Sequence, residues 1–228
     1  MDVKIFDGLR DNVSNAELLE SIVAETPTVV GITCLTAFYK ETIELSQMLK
    51  ETGLRVIIGG VHPTFLPQET LAESGCDYVV LGEGEIALLK LLQNNFQSDS
   101  IAGVYSIKDF EDSKPVIKKG KKIENLDDIP FPDWEQLNPN LYPKAPHGAI
   151  VKNFPVAPVI TTRGCPYECT FCASPSFYDR KIRFRSPENV IQEIKYLVDQ
   201  FGIREIHFED DNLTIRRGHI DKICELII

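Results

Sequence analysis

Three cysteines fall within one short stretch, Cys165-Pro-Tyr-Glu-Cys169-Thr-Phe-Cys172, a C-x3-C-x2-C spacing. Thiols this close can converge on one small inorganic core if the loop between them curls, and Gly164 and Pro166 favour such a turn. Thiolates suit soft iron–sulfur or zinc sites. Most protein clusters take four cysteine ligands, so three imply a remote fourth ligand or one open metal position. A zinc knuckle built on Cys169 and Cys172 is the alternative. A zinc ribbon, however, normally offers a second CxxC or a paired histidine. Cys34, Cys76 and Cys224 are isolated and read as buried, inert residues. His62, His147, His207 and His219 form no pair of that kind.

The elements that must hold this loop follow a βα rhythm. A strand over Pro158–Thr162 feeds a loop running from Arg163 to Asp179. Ser186-Pro187 is an N-cap followed by proline at the first helical position. The helix it opens lines up Val190, Ile194, Leu197 and Phe201 on one face, and Gly202 stops it. A strand over Ile203–Phe208 ends in Glu209-Asp210-Asp211-Asn212, and a last helix begins near Arg217. In barrel enzymes chemistry gathers at the C-terminal ends of strands, so the cysteine loop and the acidic run are expected at one mouth. The plain alternative for the acidic run is an exposed loop capping the next helix. Arg183 and Arg185 read as solvent-facing residues ahead of the helix, with a carboxylate contact as the alternative.

The first hundred residues alternate strands and helices in the manner of a parallel sheet covered on both faces. Strands are expected at Val3–Phe6, Thr28–Thr33, Arg55–Ile58 and Tyr78–Leu81. Helices are expected from the capping box Ser14-Asn-Ala-Glu17, over 39–52, near 68–73 and over 85–95. Ile101–Ile107 and Pro115–Lys118 then read as a small β-hairpin, with Lys118, Lys119, Lys121 and Lys122 on its solvated edge. Seven prolines between Asp127 and Pro158 exclude a helix and indicate a stiffened linker. The expected organisation is an α/β domain over 1–126, a linker over 127–157, and a second βα unit over 158–228.

Charge and composition narrow the function classes. The net charge of −10 lies wholly in residues 1–150, which hold 13 Lys and Arg against 23 Asp and Glu. That balance argues against a broad nucleic-acid surface. The 43% hydrophobic content is enough for packed cores. No apolar run is long enough for a membrane span, and the N-terminus lacks a signal-peptide pattern. A reducing, cytoplasmic setting is expected, in which close cysteines serve metal chemistry rather than disulfides.

The cysteine loop, with Phe171 before its last cysteine, resembles the CxxxCxxC motif of the radical S-adenosylmethionine (SAM) superfamily. The resemblance implies that Cys165, Cys169 and Cys172 hold a 4Fe–4S cluster whose fourth iron chelates SAM. It also implies reductive cleavage of SAM, with the electron supplied by a donor such as flavodoxin or ferredoxin. Phe171 is expected beside the adenine. Glu209 and Asp210 are candidates for the SAM amino group, although the family's common Gly-Gly-Glu form is absent there.

The first half is similar to the cobalamin-binding domain preceding the barrel in one radical SAM subclass. Thr33-Cys34-Leu35 matches that domain's Ser/Thr-x-Leu position, Gly59-Gly60 its paired glycines, and Gly82-Glu83-Gly84-Glu85 its GEGE run. Glycine at strand ends lets backbone approach a bulky ligand. Thr33, Leu35, Gly59, Gly60, Gly82 and Glu83 are therefore the cobalamin candidates. The DxHxxG motif that supplies a cobalt-ligating histidine does not occur. The segment VKIFDGL resembles the domain's second strand, and His62 reads as a hydrogen-bonded loop histidine. The implied fold is a Rossmann-like (flavodoxin-like) parallel sheet followed by the first βα units of a radical SAM partial TIM barrel. Further strands are expected outside the chain at both ends, leaving the apolar face of the last helix, DKICELII, in need of a partner. The implied activity is radical SAM chemistry on a small-molecule substrate, most often methyl transfer. Alternatives are a radical SAM enzyme without cobalamin and a zinc-stabilised binding module.

Overall fold

The computed structural model describes residues 2–111, 115–144 and 150–228. The chain divides into two compact units, one of residues 12–123 and one in which residues 1–11 join 124–228. Helices are counted from a single turn in the latter unit, α1 (Gly8–Asp11).

In the unit of residues 12–123, β1 (Val30–Thr33), β2 (Val56–Gly59) and β3 (Tyr78–Val80) run parallel in sequence order. A short β4 (Val104–Tyr105) joins β3 antiparallel. The helices are α2 (Asn15–Ala24), α3 (Tyr39–Glu51), α4 (Val61–Phe65), α5 (Pro67–Ser74) and α6 (Glu85–Gln93). The expected capping box opens α2, with the Ser14 N–H donating to Glu17 at 2.8 Å and the Ser14 side chain receiving the Glu17 N–H. Val56, Ile57 and Ile58 are all buried, as a strand covered on both faces requires. Ile57 and Val80 pack with Ala87 and Leu91 of α6 in one core. A run of sequential parallel strands is one half of a doubly wound sheet, and its ligand edge lies at the strands' C-terminal ends.

Two expectations fail in and around this sheet. Residues Val3–Phe6 form no strand and belong to the other unit. There the Ile5 N–H donates to Gln136 Oε1 at 2.8 Å, and Gln136 Nε2 donates to the Val3 carbonyl at 3.0 Å. One glutamine thus satisfies backbone groups that a ladder would otherwise pair. Among the described residues the expected hairpin ladder is not formed either. β3 recruits Val104–Tyr105, and Ile107–Phe110 turns into a 3-10 helix closed by Ser106 and Asp109. Residues 115–118 carry no strand, and residues 112–114 lie outside the described ones.

In the other unit, β5 (Val156–Val159) and β8 (Glu205–Phe208) pair in parallel. Between them the chain forms β6 (Thr162–Arg163), α7 (Ser174–Phe177), β7 (Arg183–Phe184) and α8 (Pro187–Phe201). β6 and β7 pair antiparallel. Ser186 caps α8 by accepting the Asn189 N–H at 3.1 Å, and Gly202 ends it with φ of 65°. Val190 and Leu197 of α8 are fully buried with Ala157 and Val159 of β5. Ile223 of α9 (Arg217–Ile227) completes this core, so the apolar face of the last helix is largely partnered within the unit. Cys224, Ile227 and Ile228 stand exposed there. The proline-rich stretch packs onto this unit, where Trp134 is buried in the α8 core. Among the described residues no helix is long and apolar enough to cross a membrane.

Candidate functional site

The cysteine loop begins where β5 ends, and its neck is closed by the β6–β7 pair with Thr162 opposite Phe184. Its root is tied down by Asp210, just beyond β8. The Asp210 carboxylate accepts the Thr161 N–H at 3.0 Å and the Thr162 hydroxyl at 2.6 Å, and also takes the Thr161 hydroxyl and the Thr162 N–H. Thr161 and Thr162 are buried, so these donors have no access to water. The far end is tied by Asp211, which accepts the Ser174 hydroxyl at 2.7 Å. Within the loop Glu168 and Arg180 form an ion pair, and the Cys172 N–H closes a turn on the Cys169 carbonyl at 3.0 Å. Gly164 has φ of 95°, and a Cβ there would run into the Lys181 carbonyl and the Tyr178 ring. Only glycine lets the chain pass beneath its own return segment.

The three thiols are presented outward. Cys165 is half-buried, Cys169 and Cys172 are exposed, and the Phe171 ring is 92% exposed. Among the described residues, no group of three His, Cys, Asp or Glu side chains is gathered tightly enough to hold a metal ion. A three-thiol donor set fits an iron–sulfur cluster by its chemistry. Glu209 lies beside this region with its N–H on the Val159 carbonyl at 3.0 Å and its side chain exposed.

Arg183 and Arg185 are not solvent-facing. Arg183 is buried, and Arg185 is ion-paired at 2.5 Å to Glu193, which is only 1% exposed. Arg185 also donates to the Ile160 carbonyl at 2.8 Å, where β5 turns toward the cysteine loop. Trp134 donates its indole N–H to Glu193 at 3.0 Å. The Arg185–Glu193 pair realises the carboxylate contact held as the alternative for Arg185, while Glu193 and Trp134 as its partners were not anticipated. The cluster's one visible sign is a carboxylate at position 193, three residues after Val190 in an otherwise apolar stripe.

In the unit of residues 12–123, the predicted ligand residues collect at the C-terminal ends of β1, β2 and β3. Thr33 and Leu35 are exposed, Gly59 and Gly60 half-buried, and Gly82 and Glu83 buried. The segment after β2 stitches these ends together. The Cys34 N–H donates to the Gly59 carbonyl at 2.8 Å, and the His62 N–H donates to the Cys34 carbonyl at 3.1 Å. The Thr64 hydroxyl donates to the Gly60 carbonyl at 2.7 Å and accepts the Gly82 N–H at 2.8 Å. Thr64 is a positioning residue that the glycine pattern did not disclose. His62 is buried in α4, stacked on Tyr39 with ring centres 4.0 Å apart and 3.2 Å from the Thr36 hydroxyl. Burial pushes the Cys34 thiol up, and the Cys76 thiol to about 11, so both remain protonated and inert. Cys224, expected to be buried, is exposed on α9.

Gly60 has φ of 106°, and a Cβ there would lie 2.7 Å from the Cys34 carbonyl oxygen. Gly60→Ala should therefore destabilise this unit by about 2 kcal/mol, read as a lowered urea midpoint. Gly59→Ala meets only ordinary contacts beside Val80 and should be nearly silent.

Residues 1–92 match the family model of the B12 binding domain, and residues 159–228 match that of the radical SAM superfamily. The chain belongs to the radical SAM superfamily, in the class that carries a B12 binding domain ahead of the radical SAM domain. Among its relatives is an uncharacterized methyltransferase of Pyrococcus horikoshii, 33% identical over 95% of this chain and 46% of the relative. The anaerobic magnesium-protoporphyrin IX monomethyl ester cyclase of Rubrivivax gelatinosus is 33% identical over all of this chain and 41% of its own. The cytidylyl-2-hydroxyethylphosphonate methyltransferase of Streptomyces wedmorensis is 31% identical over 92% and 45%. The chain thus spans under half the length of these relatives. The radical SAM methyltransferase TsrM of Kitasatospora setae, solved with tryptophan and a SAM analogue, superposes on all of this chain and 45% of its own. Its TM-score is 0.73 at 18% identity, a likeness of fold.

Proposed function

We propose that this chain is the cofactor-binding part of a radical SAM enzyme that uses cobalamin, and that the whole protein transfers a methyl group to a small molecule. The observation that carries this reading is the outward-facing C-x3-C-x2-C loop at the end of β5, braced at both ends by the acids that follow β8. When bound, the cluster supplies the electron that cleaves SAM, and cobalamin supplies the methyl group. Cys165, Cys169 and Cys172 hold the cluster, leaving one metal position for SAM. Glu209, exposed at the same strand end, is the acid left to meet the SAM amino group, since Asp210 is committed to Thr161 and Thr162. Phe171 covers the adenine. Thr33, Leu35, Gly59 and Gly60 offer the exposed or half-buried edge to cobalamin, while Gly82 and Glu83 shape it from beneath. Flavodoxin or ferredoxin is the kind of donor that suits the electron step.

Anaerobic reconstitution of the full chain with iron and sulfide tests the reading. About four irons per chain are expected, with visible absorption that bleaches on reduction. Each of Cys165→Ala, Cys169→Ala and Cys172→Ala should lose most of the iron and all SAM cleavage to 5′-deoxyadenosine. One zinc per chain with no iron uptake overturns the reading in favour of a zinc module. Failure to retain cobalamin through gel filtration removes the cobalamin part alone.

A further inference from the structure

Counting along β5 and β8 sorts their side chains by face. Ala157 and Val159 pack into the α8 core, and Ile206 and Phe208 lie against the same core. Alternation therefore turns Val156, Pro158 and Ile160, together with Glu205, His207 and Glu209, to the opposite face. A cavity of about 770 Å³ opens at this face, lined by Val156, Pro158, Ile160, Phe131 and Trp134, with Arg163 and the Arg185–Glu193 pair at its edge and His207 and Glu209 on β8 and just beyond it.

His207 is held in a fixed orientation on this wall. Its Nε2 lies 2.8 Å from Glu205 Oε1, and Glu205 also accepts the backbone N–H groups of Lys152 and Asn153, at 3.0 and 2.7 Å. The imidazole hydrogen bond first, and then those two backbone donors, hold the Glu205 carboxyl below its ordinary range. An ionised carboxylate only accepts, so Nε2 is the donor of this bond and Nδ1 is the nitrogen left for a second partner. Among the described residues Nδ1 makes no hydrogen bond, and the His207 side chain is 13% exposed. A histidine that served only as packing could leave either nitrogen anywhere. Here one nitrogen is locked, so the ring is held in one orientation on the cavity wall.

We infer that His207, aligned by Glu205, is a substrate-binding residue whose Nδ1 accepts a hydrogen bond from an O–H or N–H group on an aromatic or other apolar ring seated in this cavity. The apolar wall supplies the driving force for such a ring, and an acceptor held in fixed orientation orients it. This inference rests on the proposed function only in reading the face away from α8 as the substrate side. Glu205 acts through His207 and is a positioning residue.

The test uses the full chain, labelled with 15N-histidine and free of iron, SAM and cobalamin, so that it succeeds or fails independently of radical chemistry. The probes are p-cresol and 4-methylanisole, alike in shape and differing in one hydrogen-bond donor. Expected are a His207 ring protonated at Nε2, roughly three- to ten-fold tighter binding of p-cresol, and a shift of the Nδ1 resonance with p-cresol alone. In His207→Phe the two probes should bind alike, and in Glu205→Gln the preference should shrink. A ring protonated at Nδ1 in the unmodified chain overturns the inference without any variant. So do binding of neither probe, equal binding of both, or a preference that survives His207→Phe.

Discussion

Glu193→Ala will unfold the unit built on α8 at a markedly lower urea concentration, with a loss of about 3 kcal/mol. Glu193 is 1% exposed and accepts from both Trp134 and Arg185. Removing it strands the Arg185 guanidinium, whose side chain is only 13% exposed, and leaves the Trp134 indole N–H without an acceptor. The penalty is chiefly that of an uncompensated charge and an unmet donor, not of a lost attraction. Glu193→Gln keeps an acceptor for the indole and should lose less. The double change Glu193→Leu with Arg185→Met should recover much of the loss, because two desolvated charges disappear together. Trp134 is the sole tryptophan of the chain, so its fluorescence follows this unit without interference. A loss under about 1 kcal/mol for Glu193→Ala would mean that the pair behaves like a surface contact and does not brace the proline-rich stretch.

The regular βα elements were legible in the sequence because local rules govern them. Ser14 with Glu17, Ser186 with Pro187, and Gly202 each fix a helix end through bonds spanning a few residues. The C-x3-C-x2-C spacing was legible as a family motif, and residues 159–228 match the radical SAM family model. What was not legible depends on partners distant in the chain. Val3–Phe6 has the residues of a strand, yet its backbone bonds go to Gln136, more than a hundred residues away. Arg185 looks like any exposed cation until Glu193 and the Ile160 carbonyl are placed against it. Ile101–Ile107 alternates well enough for a hairpin, but β3 offers Val104 and Tyr105 a buried ladder that an isolated hairpin lacks. In each case local propensity was real and a tertiary partner outbid it.

On the proposed reading, Glu209 and Asp210 after β8 take two kinds of role, and Asp210→Ala separates them. Its carboxylate receives four hydrogen bonds, two of them from backbone N–H groups of residues buried to within 2%. Alanine leaves those donors unmet, and the chain must move Thr161 and Thr162 to find water or lose about 2–4 kcal/mol. Either response displaces the strand end from which Cys165 departs. The expected result is iron affinity weakened by roughly ten-fold or more, as for other residues that orient ligands without touching the metal. SAM affinity per bound cluster should change little. Glu209→Ala should do the reverse, sparing iron uptake while weakening SAM. Iron content and SAM binding are measured separately on the reconstituted chain, so the two outcomes are distinguishable. If Asp210→Ala keeps full iron and loses only SAM, then Asp210 is a SAM ligand and the bracing of the cysteine loop must come from Asp211 and the β6–β7 neck instead.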